Sequence, residues 1–244
     1  MTLDVSAPAR GIVTLTLDFP ERRNALSADL VGALAGALDD LGKDPAVRAV
    51  QLTHTGTTFC SGADLKAPPD PADLVRLLRR IVELPKPVVA RVTGHVRAGG
   101  LGLLGACDIA VAGPEASFAL TEVRIGVAAA VISLTLLPRL DPSAAARYHL
   151  TGERFDAAEA ARIGLVTAYA QDVDAALVPI LDGLRAAAPL ALAETKKLLT
   201  ARVLDAFDHH SDALMALSAR LFGSEEAREG MTAFLERRER PWVL

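Results

Sequence analysis

The sequence has no uncharged apolar run of the roughly 18 residues that a membrane-crossing helix needs. Aromatic side chains make up 4% of its 244 residues, so its core must be filled by aliphatic side chains and alanine. Cysteine is scarce too: Cys60 and Cys107 are the two present, and they show no metal-ligand spacing. His54, His149, His209 and His210 form no ligand set with nearby carboxylates, so no metal is expected. The first residues, MTLDVSAPARGIVTLTL, lack the basic-then-apolar layout of a secretory signal. The expectation is a cytoplasmic protein with free thiols and no membrane partner. With a formal net charge of −4, the chain has no excess of positive charge to draw nucleic acid or anionic lipid.

What is present is a chain with 51% apolar and 23% charged residues, enough for a substantial core. Gly11–Leu17 alternates as a strand with Val13, Leu15 and Leu17 on one face. Ser27 then caps a helix bearing Leu30, Val31, Leu34, Leu38 and Leu41, with Gly42 as its expected stop. Val47–Thr53 reads as a strand and His54–Gly62 as a loop. Leu74, Leu77, Leu78, Ile81 and Leu84 trace a helix closed by Pro85 and Pro87. Strand, helix and strand follow again, which suggests parallel pairing with right-handed crossovers, arranged as stacked turns of a coil. Asp156 with Glu159 reads as a capping box, with Gly164 closing the short helix behind it. Successive helices are expected over Val173–Ala188, Pro189–Thr200, Asp205–Leu221 and Ser224–Arg238, with a domain change near Ala188. Their apolar faces have no further sheet to cover and are expected to pack on another subunit.

The stretch Val88–Asp108, VVARVTGHVRAGGLGLLGACD, organises the rest. A β-branched run leads through a glycine-containing bend into a helix of small residues, an arrangement that aims peptide N–H groups at negative charge. Within it, Gly100-x-Gly102-x-x-Gly105 has the spacing of a dinucleotide fingerprint, with Glu122 about 20 residues on. Against that reading, Thr93–Ala98 separate the glycines from the strand, and some 90 residues precede them, about three βαβ half-units. The alternative is that Gly102 and Gly105 permit close helix packing. Two other stretches carry candidate chemistry: FCSGADLK (59–66) and SFALTE (117–122). A glutamate among apolar neighbours, as Glu122 is, costs free energy unless it is paired, hydrogen-bonded or protonated. His95, beside the bend, reads as a loop residue bonding backbone, the alternative being that it orients a water or the substrate.

Together, RNAL (23–26), FCSGADLK, VTGHVRAGGLGLLGACDIAVA, SFALTEVRIG and LTGERFDAAEAARIGLV match in order and spacing over about residues 10–170. They resemble the enoyl-CoA hydratase/isomerase (crotonase) superfamily, and EGMTAFLERRERP resembles that family's C-terminal end. The resemblance implies an α/β fold, a ββα superhelix over residues 1–188 with a helical trimerisation region over 189–244, assembled as a homotrimer or dimer of trimers. It implies an acyl-CoA substrate and no separate cofactor. The N–H groups of Ala63 and Gly99 would form the oxyanion hole, and Glu122 would be the catalytic acid/base. Asp64, Leu65 and Lys66 would border the CoA with Ala63. Arg23 and Ala25 would line the pantetheine path, and Arg237 would reach a CoA phosphate on a neighbouring subunit.

Three departures stand out. Hydratases of the family carry a first glutamate in the glycine-rich helix, where this chain has Gly102. Ala98 replaces the first of three glycines, a small change in composition. Val127–Val131 replaces a Pro-Gly-rich turn. Hydration uses two carboxylates, whereas double-bond migration needs one. The expected activity is therefore hydration or isomerisation of an enoyl-CoA, the alternative being an acyl-CoA-binding paralogue without catalysis.

Overall fold

The computed structural model describes residues 2–64 and 66–244. Leu3–Val5 (β1) and Ile12–Leu17 (β2) pair antiparallel. Ser27 caps the next helix, Ala28–Lys43 (α1), its hydroxyl accepting from the Leu30 amide at 3.2 Å, and the five expected apolar residues are buried. Gly42 does not stop this helix. The chain turns out at Asp44, whose carboxylate accepts from the Ala46 amide at 2.8 Å.

Three turns of one pattern follow. Ala49–His54 (β3) leads to Thr58–Cys60 (β4) and helix Pro71–Glu83 (α2). Val88–Val92 (β5) leads to His95–Arg97 (β6) and helix Gly99–Ala106 (α3). Ile109–Ala112 (β7) leads to Ser117–Ala119 (β8) and a 3₁₀ turn, Glu122–Ile125. Beyond lie Ser133–Leu136 (α4), Pro142–Thr151 (α5), Phe155–Asp156 (β9), Ala157–Arg162 (α6) and Ala168–Tyr169 (β10). Val173–Ala186 (α7), Pro189–Phe222 (α8) and Glu225–Glu236 (α9) end the chain.

In every turn the first strand joins a large sheet and the second a small one. The orders are β1-β2-β3-β5-β7-β10 and β4-β6-β8-β9, so both sheets advance together and the ββα units stack as a spiral. Pairing is parallel except at β1 and β9. Residues of β5 alternate between two buried faces: Val88, Ala90 and Val92 enter the main core, while Val89 joins Val111, Val173 and Leu177 beneath α7. A strand buried on both sides reads as a mainly apolar run, interrupted in VVARV at Arg91, which pairs with Asp174.

Helix α8, which starts at Pro189, is one continuous helix of 34 residues rather than two. Its expected gap contains no glycine or proline, and Val203 and Phe207 on either side of Asp205 are buried. Nor does the tail await another subunit before packing. Helix α8 lies along α2 and α4, and α9 covers the 3₁₀ turn so closely that a Cβ on Gly230 would stand 2.6 Å from the Ile125 backbone. Left outward are Leu190, Leu198, Leu199, Phe234 and Leu235. No single helix among the described residues is long and apolar enough to cross a membrane.

The capping box at α6 is half formed. Asp156 accepts from the Glu159 amide at 2.8 Å, but the Glu159 carboxylate turns to the Tyr148 hydroxyl and Arg162 instead.

Candidate active site

Leu26 sets the orientation of Ala63. Its amide donates to the Gly62 carbonyl at 2.8 Å and its carbonyl accepts from the Asp64 amide at 3.0 Å, a parallel bridge across Ala63. In such a bridge the middle residue turns its own N–H and C=O to the opposite side. The Ala63 N–H therefore faces away from Leu26. The loop behind it bends at Gly62, where φ is +91° and a side chain would be strained.

That loop meets the start of α3. A Cβ placed on Gly99 would lie 3.5 Å from the Ala63 nitrogen, and one on Gly62 would lie 3.2 Å from the Gly99 nitrogen. Gly99 is the first residue of α3, so its N–H has no partner within the helix and carries the positive end of the helix dipole. Among the described residues no protein acceptor pairs with either N–H. Two peptide donors from separate turns of the spiral thus stand side by side, unpartnered.

Ala98 is a larger departure than its composition suggests. Its φ of 47° and ψ of −123° match the first central position of a type II′ turn, which glycine favours. Holding an alanine there costs on the order of 1–3 kcal/mol. The strain orients Gly99: the Ala98 carbonyl accepts from the Leu101 amide at 2.8 Å, while its amide donates to the Ala119 carbonyl at 3.2 Å.

That last bond also positions Glu122. Gly99 follows Ala98 by one residue, and Glu122 follows Ala119 by three, a span of at most about 11 Å. Glu122 opens the 3₁₀ turn that α9 packs upon. The residue is half-buried, yet its Oε2 is fully covered and has no hydrogen-bond partner. Burial pushes its carboxyl up to about 7, its own backbone amide opposing the shift as a hydrogen-bond donor. An acid with that environment is poised to exchange protons near neutrality.

The remaining predicted residues divide. Arg23, in the left-handed region at φ 52°, accepts through its carbonyl from the Ser61 amide at 3.1 Å, fastening the Arg23–Ala25 segment beside the Ala63 loop. Asp64 accepts from Arg22 at 3.2 Å and from the Lys66 amide at 3.0 Å, and Lys66 is exposed. Leu65 lies outside the described residues. Arg237 is exposed at the far end of α9 at φ 57°, and among the described residues no hydrogen bond or ion pair joins it to this loop. His95 is a strand residue rather than a loop one. Its Nδ1 meets the Ser117 hydroxyl, not backbone, at 3.0 Å.

The dinucleotide reading does not survive. Gly100, Gly102 and Gly105 lie inside α3, not in a phosphate loop, and neighbours cover them. Added Cβ atoms would meet Cys60 at 2.8 Å, Ile132 at 2.4 Å and Leu136 at 2.9 Å respectively. These glycines serve close packing, and no room remains for a pyrophosphate. Among the described residues no group of histidine, cysteine or acidic side chains could hold a metal.

Sequence reasoning passed over three contributors. Leu26 orients Ala63. Asn24 is buried, donating to the Thr55 and Thr58 carbonyls at 3.1 and 2.7 Å and accepting from the Phe19 amide at 2.7 Å, which locks the segment before Leu26. Ile132 fills the space beside Gly102. Asn24 sits in a polar, turn-rich stretch that gives it no distinguishing signal, and Leu26 and Ile132 act through distant contacts that no local pattern displays.

Comparison with known proteins agrees with this geometry. The family model described as enoyl-CoA hydratase/isomerase matches residues 8–243. The chain is 31% identical to an (E)-benzylidenesuccinyl-CoA hydratase of Thauera aromatica, over 98% of this chain and 96% of that protein. The crystal structure of an enoyl-CoA hydratase from Mycobacterium avium superposes with a TM-score of 0.94 at 52% identity, covering 99% of each chain. A carnitinyl-CoA hydratase from the same organism superposes at 0.88 with 29% identity, over 99% of this chain and 98% of that one. With its spiral of ββα turns, its helical C-terminal region and a match over nearly its whole length, the chain belongs to the enoyl-CoA hydratase/isomerase family.

Proposed function

We propose that this enzyme moves the double bond of an enoyl-CoA through an enolate, with the Ala63 and Gly99 N–H groups on the thioester oxygen and Glu122 carrying the proton. The observation that carries this reading is the Glu122 carboxyl, buried without a partner at Oε2 and raised to about 7. A thioester α-proton leaves at neutral pH only if the enolate oxygen is stabilised. Two aimed donors in a dry site supply roughly 3–4 kcal/mol each, judged by the cost of removing comparable donors. A single carboxyl then takes a proton from one carbon of the acyl chain and returns it to another. Hydration would need a second carboxylate, and Gly102 offers none.

Asp64 and Lys66, with Arg23 and Ala25, border the CoA in this reading. Assembly as a homotrimer or dimer of trimers through the outward Leu190, Leu198 and Leu199 belongs to it too, and so does a reducing, cytoplasmic setting for the buried thiols Cys60 and Cys107. Sedimentation of the purified protein tests the assembly.

The reaction is tested with a panel of straight, branched and β,γ-unsaturated CoA esters and product identification. Conversion of β,γ- to α,β-enoyl-CoA, abolished in Glu122→Gln, is the expected result. CoA-ester binding without turnover on any member would instead make the protein an acyl-CoA-binding paralogue.

A further inference from the structure

We infer that Ile132 decides which reaction this site performs: its side chain fills the volume where a second carboxylate and its water would stand beside the substrate. The inference rests on the enolate reading above and adds to it a residue that determines product. Where the family resemblance implies a glutamate on α3 this chain carries Gly102, and the bulk at that place comes instead from Ile132, just past the Val127–Val131 stretch.

The two residues are in close contact. A Cβ on Gly102 would lie 2.4 Å from the Cγ2 of Ile132, 2.7 Å from its Cβ and 3.4 Å from its Cα. Ile132 is itself buried, and the backbone around it is pinned. The Thr135 hydroxyl donates to the Gly102 carbonyl at 3.0 Å and is also within 3.1 Å of the Ile132 carbonyl, while the Ser133 hydroxyl donates to the Ala129 carbonyl at 2.6 Å. Moving the segment aside to admit a side chain at position 102 would break these hydrogen bonds. Gly102 lies one turn beyond Gly99, a rise of about 4.5 Å along α3. A thioester held at Gly99 would thus present its α- and β-carbons to the wall that Ile132 forms. Water adding across a double bond must place its oxygen on the β-carbon and give up a proton to a base while the α-carbon takes one. An apolar branched side chain in that position supplies neither room nor base, so the enolate is reprotonated by Glu122 instead.

The contact distances select the test. Gly102→Glu alone must clash, and Ile132→Ala leaves a Cβ–Cβ approach of 2.7 Å. Only Ile132→Gly clears it. Wild type, Gly102→Glu, Ile132→Gly and the double variant Gly102→Glu/Ile132→Gly are assayed for hydration of a short α,β-enoyl-CoA and for isomerisation of its β,γ isomer. Circular dichroism and CoA-ester binding check the fold of each. The double variant is expected to raise the ratio of hydration to isomerisation about tenfold or more over wild type, the low end of what a positioned acid/base contributes. Gly102→Glu alone should not. Should the double variant prove unfolded, the shorter acid of Gly102→Asp/Ile132→Gly decides, with the same rise in ratio expected, while Ile132→Gly and Ile132→Leu alone, which add no base, should leave the ratio as in wild type.

A folded, CoA-binding double variant with an unchanged ratio, whether it carries Glu or Asp at position 102, would overturn the inference. So would a wild type that hydrates as readily as it isomerises. Failure of the enolate reading itself looks different: wild type would then fail to exchange the α-proton of a saturated acyl-CoA with solvent, whatever occupies position 132.

Discussion

Asp108 and Glu122 are both acids turned inward at strand ends of the spiral, and the fold treats them oppositely. Asp108, just before β7, accepts from the Lys196 ammonium at 2.7 Å and from the Val88 amide at 2.7 Å. Lys196 is 5% exposed and also donates to the Ile81 and Lys86 carbonyls, so the pair ties α8 to the core with its hydrogen bonds made. Glu122, just after β8, has an Oε2 with no such partner. A buried carboxyl that is fully partnered holds a structure together. One left without a partner raises the energy of its own ionised form, an environment that suits an acid or base.

That contrast predicts opposite phenotypes. Glu122→Gln should lower isomerase kcat by about 10²–10⁴-fold, the range for a positioned general acid/base. It should also make the protein more stable at alkaline pH. In the folded state the carboxyl sits near 7, above the ordinary carboxylate range, so stability is full below that range, falls as pH rises through it, and levels off above 7. The loss totals on the order of 3 kcal/mol. Urea unfolding at pH 8 should therefore show the glutamine variant more stable, the gap closing at acid pH. Asp108→Ala should do the reverse. It strands the buried Lys196 ammonium and should cost about 3–5 kcal/mol in the same unfolding assay, with the reaction itself intact in whatever remains folded. If both variants lost stability, the contrast would be void.

The opposite wall of the site sharpens it. Ala63→Pro removes one of the two N–H groups proposed to hold the thioester oxygen, without touching either acid. It should cut kcat about 10²–10³-fold, the penalty for losing one oxyanion donor, with CoA-ester binding largely retained. The smallest expected effect is at Ala98. Ala98→Gly relieves a positive φ and should stabilise the protein by about 1 kcal/mol in thermal or urea unfolding.

How much of this the sequence displays depends on the range over which each feature is decided. Ser27 and Asp156 announce helix starts because a cap bonds an amide three residues away. The alternation of long strands and helices is legible because each is a local pattern. The short strands β4 and β6 read as loop, so the ββα turns come from the family resemblance, as do the motifs around Ala63, Gly99 and Glu122. The failures share one cause. Whether Gly42 ends a helix depends on the turn at Asp44, and whether α8 breaks depends on what Val203 and Phe207 pack against. Leu26 aims Ala63 from a different turn of the spiral. Gly102 reads in sequence as a missing glutamate; that Ile132 packs against it is visible in the structure alone.

The most direct test of the account is solvent deuterium exchange at the α-carbon of a saturated acyl-CoA, which can neither hydrate nor isomerise, followed by NMR from pH 5 to 9 (a span of about two units either side of neutrality). Exchange by the wild-type protein should rise with pH through an apparent pKa of about 7, set by the buried Glu122, and Glu122→Gln should show no such rise. Exchange that is equal in the two proteins, or absent from the wild type while CoA esters still bind, would contradict it.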